Sequence, residues 1–335
     1  MQKDMKTRIR SFVGASPKKP LPILSFPCVS LLGVTVRELI SDSDLQAKGM
    51  KAVADRVDAA AAVSFMDLSV EAECFGATVT VSDDEVPTIK GRLVNDADEA
   101  EALTVPPIGS GRTQIYIDAI QKAAQTITDR PVFAGMIGPF SLAARLLDVS
   151  EIMIDCYDDP DMVHVVLEKA TEFLIGYARA FRAAGAGGVM MAEPVAGLLS
   201  PALEAEFSAP YVKKIVDAVQ SDEFVLIYHN CGDNVPLMLD SILSVGAAAY
   251  HFGNAVDMSD ILQKLPTDVI AMGNVDPAGV LRMGTPDSVR SATRELMENC
   301  AKYPNFVPSS GCDIPPATPW DNIDAFFETV KSYGK

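Results

Sequence analysis

The chain has 335 residues, of which 48% are hydrophobic and 22% are charged, and its formal net charge is −17. This composition is typical of a globular protein with a large core, and it excludes a disordered chain. The negative charge and the lack of any Lys/Arg-rich run exclude a nucleic-acid-binding protein, because phosphate binding needs clustered cations.

The sequence also argues against a membrane or secreted protein. No segment reaches the roughly 18 apolar residues of a membrane span, and the first residues lack the apolar core of a secretion signal. We therefore expect no membrane association and a cytoplasmic location. Six cysteines in so long a chain do not indicate a disulfide framework, so we expect free thiols, some of which bind metal.

Taken in chain order, the sequence begins with an N-terminal extension over residues 1–20. Short apolar runs then alternate with longer helical patterns, which indicates repeated strand–helix units around a parallel sheet. In Asp161–Ala183, for example, apolar side chains recur every three to four residues, as on the buried face of a helix. The predicted strands are Pro22–Phe26, Ala61–Met66, Val132–Ile137, Gly188–Met191, Phe224–Tyr228, Ala247–Phe252, Val269–Met272 and Phe306–Ser309.

Eight strands with helices between them predict one α/β domain over residues 1–335, a (βα)8 barrel of the TIM type. Residues 77–94 depart from this pattern, because polar and apolar residues alternate on both sides of Asp83-Asp84. We interpret this segment as a β-hairpin inserted after the second strand.

Polar and glycine-rich motifs follow the ends of several predicted strands. Barrel enzymes carry their chemistry at the carboxyl ends of the strands, so these motifs are expected to meet at one rim. The motifs are Gly138-Pro139, Glu193-Pro194, His229-Asn-Cys-Gly232, Gly273-Asn-Val-Asp-Pro277 and Gly311-Cys-Asp313.

Two of these motifs carry a set of metal-binding side chains. His229 and Cys231 are separated by one residue, so their side chains can face the same way at the end of a strand. Cys312 follows the last strand, which can approach the fifth across the barrel mouth. Two thiolates and one imidazole form a tetrahedral zinc site with one open position. The alternative is a buried histidine beside two small hydrophobic cysteines.

Other rim residues are candidates for supporting roles. The candidate catalytic groups are Glu193, Asn230 and Asp313, and the candidate cofactor contacts are Gly138, Asn274 and Asp276. Glu193 is placed to be a fourth metal ligand or an acid–base group, and a salt bridge at the rim is an equal alternative. For His251, at the end of the sixth strand, a structural or substrate-contact role is favoured over metal ligation.

Three segments resemble motifs of the uroporphyrinogen decarboxylase superfamily, and within it the zinc-dependent corrinoid methyltransferases of the methylcobamide:coenzyme M methyltransferase branch. The segments are Tyr228-His-Asn-Cys-Gly232, Met272-Gly-Asn-Val-Asp-Pro277 and Ser310-Gly-Cys-Asp-Ile-Pro315. The resemblance extends from about Phe26 to Tyr333, and the His-x-Cys pair with a late cysteine is its most specific part.

The resemblance implies a zinc ion on His229, Cys231 and Cys312 that binds the thiol of a methyl acceptor such as coenzyme M. It further implies that the methyl donor is a methyl-corrinoid carried by a separate corrinoid protein, which would dock at the barrel mouth. The sulfonate of coenzyme M would need an arginine or backbone N–H groups at the rim. The sequence does not identify which arginine, and it is compatible with a homodimer.

One departure separates this chain from the decarboxylases of the superfamily. Those enzymes carry an arginine-rich segment after the first strand that holds the carboxylates of the porphyrinogen. In the corresponding segment of this chain, residues 27–37, Arg37 is the single arginine. This argues against decarboxylation of an octacarboxylate. A uroporphyrinogen decarboxylase-like tetrapyrrole enzyme and a non-catalytic corrinoid- or metal-binding protein are the alternatives.

Overall fold

The computed structural model describes residues 4–13 and 18–333. Seven parallel strands form one curled sheet in the order β1-β4-β5-β6-β7-β8-β9, and β2 and β3 form a separate antiparallel hairpin. The strands β1 to β9 are Ala62–Val63, Thr78–Thr80, Thr88–Lys90, Val132–Ile137, Gly188–Ala192, Val225–Asn230, Ala249–Phe252, Ala271–Val275 and Phe306–Ser310.

Helices cover the outer face of the sheet. Within the described residues, α1 to α16 are Met5–Val13, Cys28–Leu32, Val36–Ile40, Ser43–Arg56, Val70–Phe75, Ala97–Ala102, Thr113–Thr126, Pro139–Leu147, Val149–Asp158, Pro160–Ala183, Pro201–Phe207, Ala209–Val219, Val235–Ser244, Met258–Lys264, Pro286–Cys300 and Trp320–Ser332. A 3₁₀ turn spans Ala196–Leu198 and a π-helical turn spans Pro277–Arg282. In the part of the chain described here, no helix combines the length and apolarity needed to cross a membrane.

The predicted TIM-type α/β architecture and the inserted hairpin are confirmed, with one correction to the strands. The predicted first strand, Pro22–Phe26, is not a hydrogen-bonded strand. The prolines at positions 20 and 22 have no N–H to give to a ladder. The extended chain still closes the barrel between β9 and β1, because Leu21 N donates to Pro308 O at 2.9 Å and Ala60 N donates to the carbonyl of residue 20 at 2.8 Å.

The barrel interior follows the period of two that a strand imposes on its side chains. On β6, Val225 and Ile227 belong to the inner apolar cluster, whereas Leu226 and Tyr228 pack in the outer layer between sheet and helices. The same alternation places Met190 of β5 inside. The side-chain parity of each strand therefore decides which rim residues face the barrel axis.

Helix α1 closes the amino-terminal end of the barrel. Met5, Ile9 and Phe12 lie on one face at helical spacing, are at most 8% exposed and join the inner cluster. Met5 N donates to Asp222 O at 2.5 Å, just before β6. The part of the predicted extension at residues 1–3 and 14–17 lies outside the described residues.

Replacing Ile9 by alanine tests this role of α1. We expect the free energy of unfolding in urea to fall by about 2–5 kcal/mol, because the change opens a cavity in the inner cluster. The control is Arg10→Ala, an exposed residue on the same helix, with an expected change within about 0.5 kcal/mol. Equal effects of the two substitutions would contradict a packing role for this helix.

Candidate metal centre

The three predicted metal ligands meet at the carboxyl end of the barrel. His229 lies on β6, Cys231 follows that strand directly, and Cys312 follows β9. Their ligand atoms all lie within 4.8 Å of one another, and Cys312 Sγ is 3.5 Å from His229 Nε2. By strand parity His229 continues the inward row of Val225 and Ile227. Cys231, two residues further on, has the same parity, so both side chains point to the barrel axis.

The loops that carry these residues interlock through glycines. A Cβ atom at Gly253 would lie 2.5 Å from Cys231 Cα, and one at Gly232 would lie 2.2 Å from Gly197 O. These approaches are closer than any side chain tolerates, so the loops after β5, β6 and β7 pack backbone against backbone. The close packing fixes the position of Cys231 relative to His229.

A chain of buried hydrogen bonds leads from His229 to the far side of the barrel. His229 Nδ1 lies 2.8 Å from His251 Nδ1 and 3.2 Å from His251 O. His251 Nε2 lies 2.8 Å from Ser309 Oγ, and that hydroxyl donates to Leu21 O at 2.7 Å. Cross-strand register places His251 beside His229, and His251 is fully buried.

The direction of these hydrogen bonds fixes the neutral tautomer of each histidine. The carbonyl of Leu21 can only accept, so Ser309 donates to it and accepts from His251 Nε2–H. His251 Nδ1 is then an acceptor, and His229 must carry its proton on Nδ1. Burial, together with the nearby His229, lowers the pKa of His251 well below its usual range, so His251 is neutral. The lone pair of His229 Nε2 therefore points to the thiols.

Cys231 differs from the other cysteines in the direction of its pKa shift. The Cys312 thiol hydrogen-bonds to Cys231, which lowers the pKa of Cys231 and raises that of Cys312. Burial raises the pKa of the remote buried thiols, Cys28, Cys156 and Cys300, to about 12, as the Cys231 contact and burial do for Cys312. Two sulfurs and one imidazole nitrogen with a free lone pair match the donor set of a zinc site.

A cavity of about 280 Å³ opens beside the cluster. His229 and Cys312 form part of its wall, and most of the remaining wall is apolar. The other lining residues are Ile23, Met66, Leu68, Glu85, Val86, Ala192, Pro194, Arg282, Asp313, Pro315 and Pro316. This volume is at or below the small end of the range for ligand pockets, so the cavity fits a small molecule.

Of the three candidate catalytic groups, the structure brings Asp313 into this cavity. Its Oδ1 is buried and has no hydrogen-bond partner within the described residues. Burial, and then the adjacent Cys312, raise the pKa of Asp313 well above its usual range. Asn230 instead faces the outer layer, where its Oδ1 accepts from Gly232 N at 3.0 Å and its Nδ2 donates to Tyr228 Oη at 3.2 Å.

Glu193 also faces away from the cavity, because the parity of β5 turns it towards the helices. Its carboxylate accepts from Phe140 N at 2.8 Å and from Ser141 N and Oγ at 2.9 and 2.7 Å, at the start of α8. Burial raises its pKa to about 7. A Cβ atom at Gly138 would lie 2.3 Å from the Glu193 side chain, so that glycine makes room for the carboxylate.

The remaining candidate cofactor contacts hold the rim together. Asn274 Nδ2 donates to Gly253 O and Val256 O at 2.9 and 2.8 Å. Asp276 accepts from Ala278 N and Gly279 N at 2.9 Å and caps the π-helical turn. Both line a second cavity of about 360 Å³ on the outer side of the rim rather than the cavity beside the cluster.

Comparison with known proteins identifies the family. A sequence profile of the uroporphyrinogen decarboxylase family matches residues 28–333. The chain belongs to the uroporphyrinogen decarboxylase family. Among the relatives of this uroporphyrinogen decarboxylase-family chain is a methylcobamide:CoM methyltransferase from Methanosarcina acetivorans, 27% identical over 271 residues, which cover 80% of this chain and 78% of that protein.

Two further matches are a decarboxylase sequence and a solved methyltransferase structure. A uroporphyrinogen decarboxylase from Coxiella burnetii is 25% identical over 291 residues, covering 82% of this chain and 77% of that protein. The solved structure of a methyltransferase from Methanosarcina mazei superposes with a TM-score of 0.87 over 99% of this chain and 100% of that chain, at 24% sequence identity. This structure confirms the fold expected for the family.

Sequence reasoning missed three groups at the site. Ser309 completes the hydrogen-bond chain, and its position two residues after inward-facing Val307 would have indicated its direction. Arg282 and Glu85 face each other at the cavity wall. They come from segments 197 residues apart, and neither carries a local sequence signal.

The hydrogen-bond chain predicts the tautomers of both histidines. The protein has three histidines, so long-range ¹H–¹⁵N spectra of histidine-labelled, metal-free protein can resolve them. We expect the proton on Nδ1 of His229 and on Nε2 of His251. Ser309→Ala removes the acceptor and should mix the tautomers, whereas the control Ser310→Ala, whose hydroxyl accepts from Ile23 N, should not. A proton on His229 Nε2 in the wild type would contradict the chain.

Proposed function

We propose that this protein is a zinc-dependent methyltransferase that moves a methyl group from a methyl-corrinoid, bound to a separate protein, to a small thiol such as coenzyme M. The observation that carries this proposal is the His229–Cys231–Cys312 cluster in the wall of a small, mostly apolar cavity. The similarity to the methylcobamide:CoM methyltransferase of Methanosarcina acetivorans over most of both chains supports the same reaction.

The cluster residues would hold the zinc, which when bound lowers the pKa of an incoming thiol and keeps its sulfur nucleophilic. The hydrogen-bond chain directs the Nδ1 proton of His229 to His251 and so orients Nε2 towards the other two ligands. Asp313 Oδ1, which has no partner among the described residues, lies in the same cavity, where we propose that the Asp313 carboxyl hydrogen-bonds the acceptor, while the proton of the thiol goes to solvent. The apolar wall excludes water from the reacting sulfur.

The reaction itself is an in-line displacement at the methyl carbon. The acceptor sulfur forms a bond to carbon while the cobalt–carbon bond of the corrinoid breaks, and its electron pair remains on cobalt. The protein contributes alignment and a deprotonated sulfur rather than a covalent intermediate.

The size of the cavity separates the two substrates. A space of about 280 Å³ accepts a small thiol but not a corrin ring. The methyl-corrinoid must therefore reach the mouth from outside, on its carrier. Three strongly exposed apolar side chains lie in rim segments that follow β5, β6 and β8, namely Leu198, Leu237 and Met283 at 56%, 71% and 81% exposure. We propose that they form the docking surface for the corrinoid protein.

The alternatives make different demands on the site. A porphyrinogen decarboxylase must bind an octacarboxylate, whereas Arg282 is the one arginine among the described residues that line the cavity. A non-catalytic metal- or corrinoid-binding protein would hold zinc without transferring a methyl group. Turnover of a porphyrinogen without zinc, or zinc binding without methyl transfer to any thiol, would favour one of these alternatives.

The metal and the reaction are tested together with Cys231→Ser. We expect about one zinc per chain in the wild type by elemental analysis, and demethylation of methylcobalamin when a thiol is added. The variant should lose most of the zinc and at least 100-fold in rate, because a thiolate ligand is lost.

The matched control is Cys74→Ser, since Cys74 donates to Ser110 O and a serine hydroxyl can do the same. It should keep both zinc and rate. Wild-type protein that takes up no zinc, or zinc-loaded protein that is inactive with every thiol, would overturn the proposal.

The docking surface is tested by Leu237→Asp. We expect the KM for a methylated corrinoid protein to rise at least tenfold, because a charge replaces an apolar contact, while the rate with free methylcobalamin stays within twofold. The control is Ile154→Asp, an exposed apolar residue on α9, which should change neither value. Equal loss with free methylcobalamin would place the effect in the active site and contradict the docking role.

A further inference from the structure

The wall of the cavity beside the cluster contains few charged groups. Apart from the cluster residues, those among the described lining residues are Glu85, Arg282 and Asp313. Arg282 is the one permanently cationic side chain in this set, and the neighbouring wall is mainly proline and aliphatic carbon. A small ligand in this cavity therefore meets one cation and one sulfur-binding cluster within the same space.

The backbone that carries Arg282 is held firmly. Arg282 ends the π-helical turn that Asp276 caps at its start. Asn322 Nδ2 donates to the preceding carbonyl, Leu281 O, at 2.8 Å. The backbone position of Arg282 beside the cavity is thus set by α16 and by the loop after β8.

The present partner of Arg282 is exchangeable. Its Nη2 lies 2.8 Å from Glu85 Oε1, and the two side chains are 36% and 55% exposed. Pairs this open to water contribute little to stability, because water screens the attraction and the side chains lose freedom. Glu85 lies in the connection between β2 and β3, which a second ion pair, Arg37 to Asp83 at 2.7 Å, holds on its other side. Loss of the Glu85 contact would leave that connection anchored.

We propose that Arg282 is the anion subsite of this cavity and that it binds the oxyanion at the far end of the thiol acceptor, in exchange for Glu85. The planar guanidinium fork matches a sulfonate, carboxylate or phosphate group. With the anion on Arg282, the apolar wall covers the short carbon chain and the thiol faces the cluster. This inference rests on the proposed function in taking the ligand to be a small thiol, and it defines that thiol as an anionic one.

A pair of thiols that differ in charge tests the subsite. The substrates are 2-mercaptoethanesulfonate and the neutral 2-mercaptoethanol, assayed with methylcobalamin and zinc-loaded protein. Arg282→Gln should raise the KM for the sulfonate at least tenfold and change that for the neutral thiol less than twofold. Arg282→Lys should fall between wild type and Arg282→Gln. Glu85→Gln should lower the KM for the sulfonate, because the competing carboxylate is gone.

A binding measurement separates the subsite from the reaction. Calorimetric titration with ethanesulfonate, which has no thiol, should show binding to the wild type and at least tenfold weaker binding to Arg282→Gln. The control is Arg290→Gln, on the exposed face of α15, where Arg290 pairs with Asp287. This variant should bind ethanesulfonate as the wild type does.

Two results would overturn the proposal. One is an unchanged preference between the two thiols in Arg282→Gln that has retained its zinc. The other is ethanesulfonate binding that does not depend on Arg282. Failure of both thiols to react in the wild type would instead count against the proposed function, and ethanesulfonate binding would still decide on the subsite.

Discussion

The carbonyl of Leu21 is the fixed point on which the arrangement of the site depends. It has no proton to give, so it sets the direction of each hydrogen bond through Ser309 and His251 to His229. The same segment of chain closes the barrel between β9 and β1. The segment that closes the barrel therefore also sets the direction of the hydrogen bonds that orient His229. Buried neutral histidines are ordinarily adaptable in their tautomer, and here the surroundings leave a single choice.

Much of the fold could be predicted from the sequence, because buried parallel strands are nearly continuous apolar runs and their helices repeat every three to four residues. Val132–Ile137 was predicted with its observed bounds. The segment Pro22–Phe26, which closes the barrel, was predicted incorrectly as a strand. Its apolar content favoured a strand, but the prolines at positions 20 and 22 prevent a hydrogen-bonded ladder. Whether such a segment still closes the sheet depends on contacts with β9 and β1, which no local pattern contains.

The candidate site was predictable where strand parity and residue type agree. His229 and Cys231 share a face because one residue separates them, and the barrel brings Cys312 to them. Glu193 was predicted to be a metal ligand or acid–base group or, equally, part of a salt bridge at the rim, and the parity of β5 turns it towards α8. The same parity applies to this glutamate, because the preceding residue, Ala192, faces the barrel interior. Arg282 could not be found at all, because its place in the cavity wall depends on a π-helical turn.

The rim divides its residues between two tasks. Groups that face the barrel axis form the cluster and its hydrogen-bond chain, whereas those that face outward, such as Asn230 and Glu193, hold strand ends and loops in place. The glycine contacts between loops supply the rigidity that a three-ligand site requires, since misplaced ligands lower metal affinity. A small rigid cavity with an apolar rim then suits a small thiol acceptor inside the cavity and a methyl-corrinoid on its carrier protein outside it.

Zinc K-edge X-ray absorption of the zinc-loaded protein, with and without the thiol acceptor, tests the central claim most directly. We expect two sulfur ligands at about 2.3 Å and one imidazole nitrogen at about 2.0 Å without thiol, and a third sulfur when the thiol is added. An unchanged sulfur count on addition of a saturating thiol would contradict the account, and so would a zinc shell of nitrogen and oxygen alone.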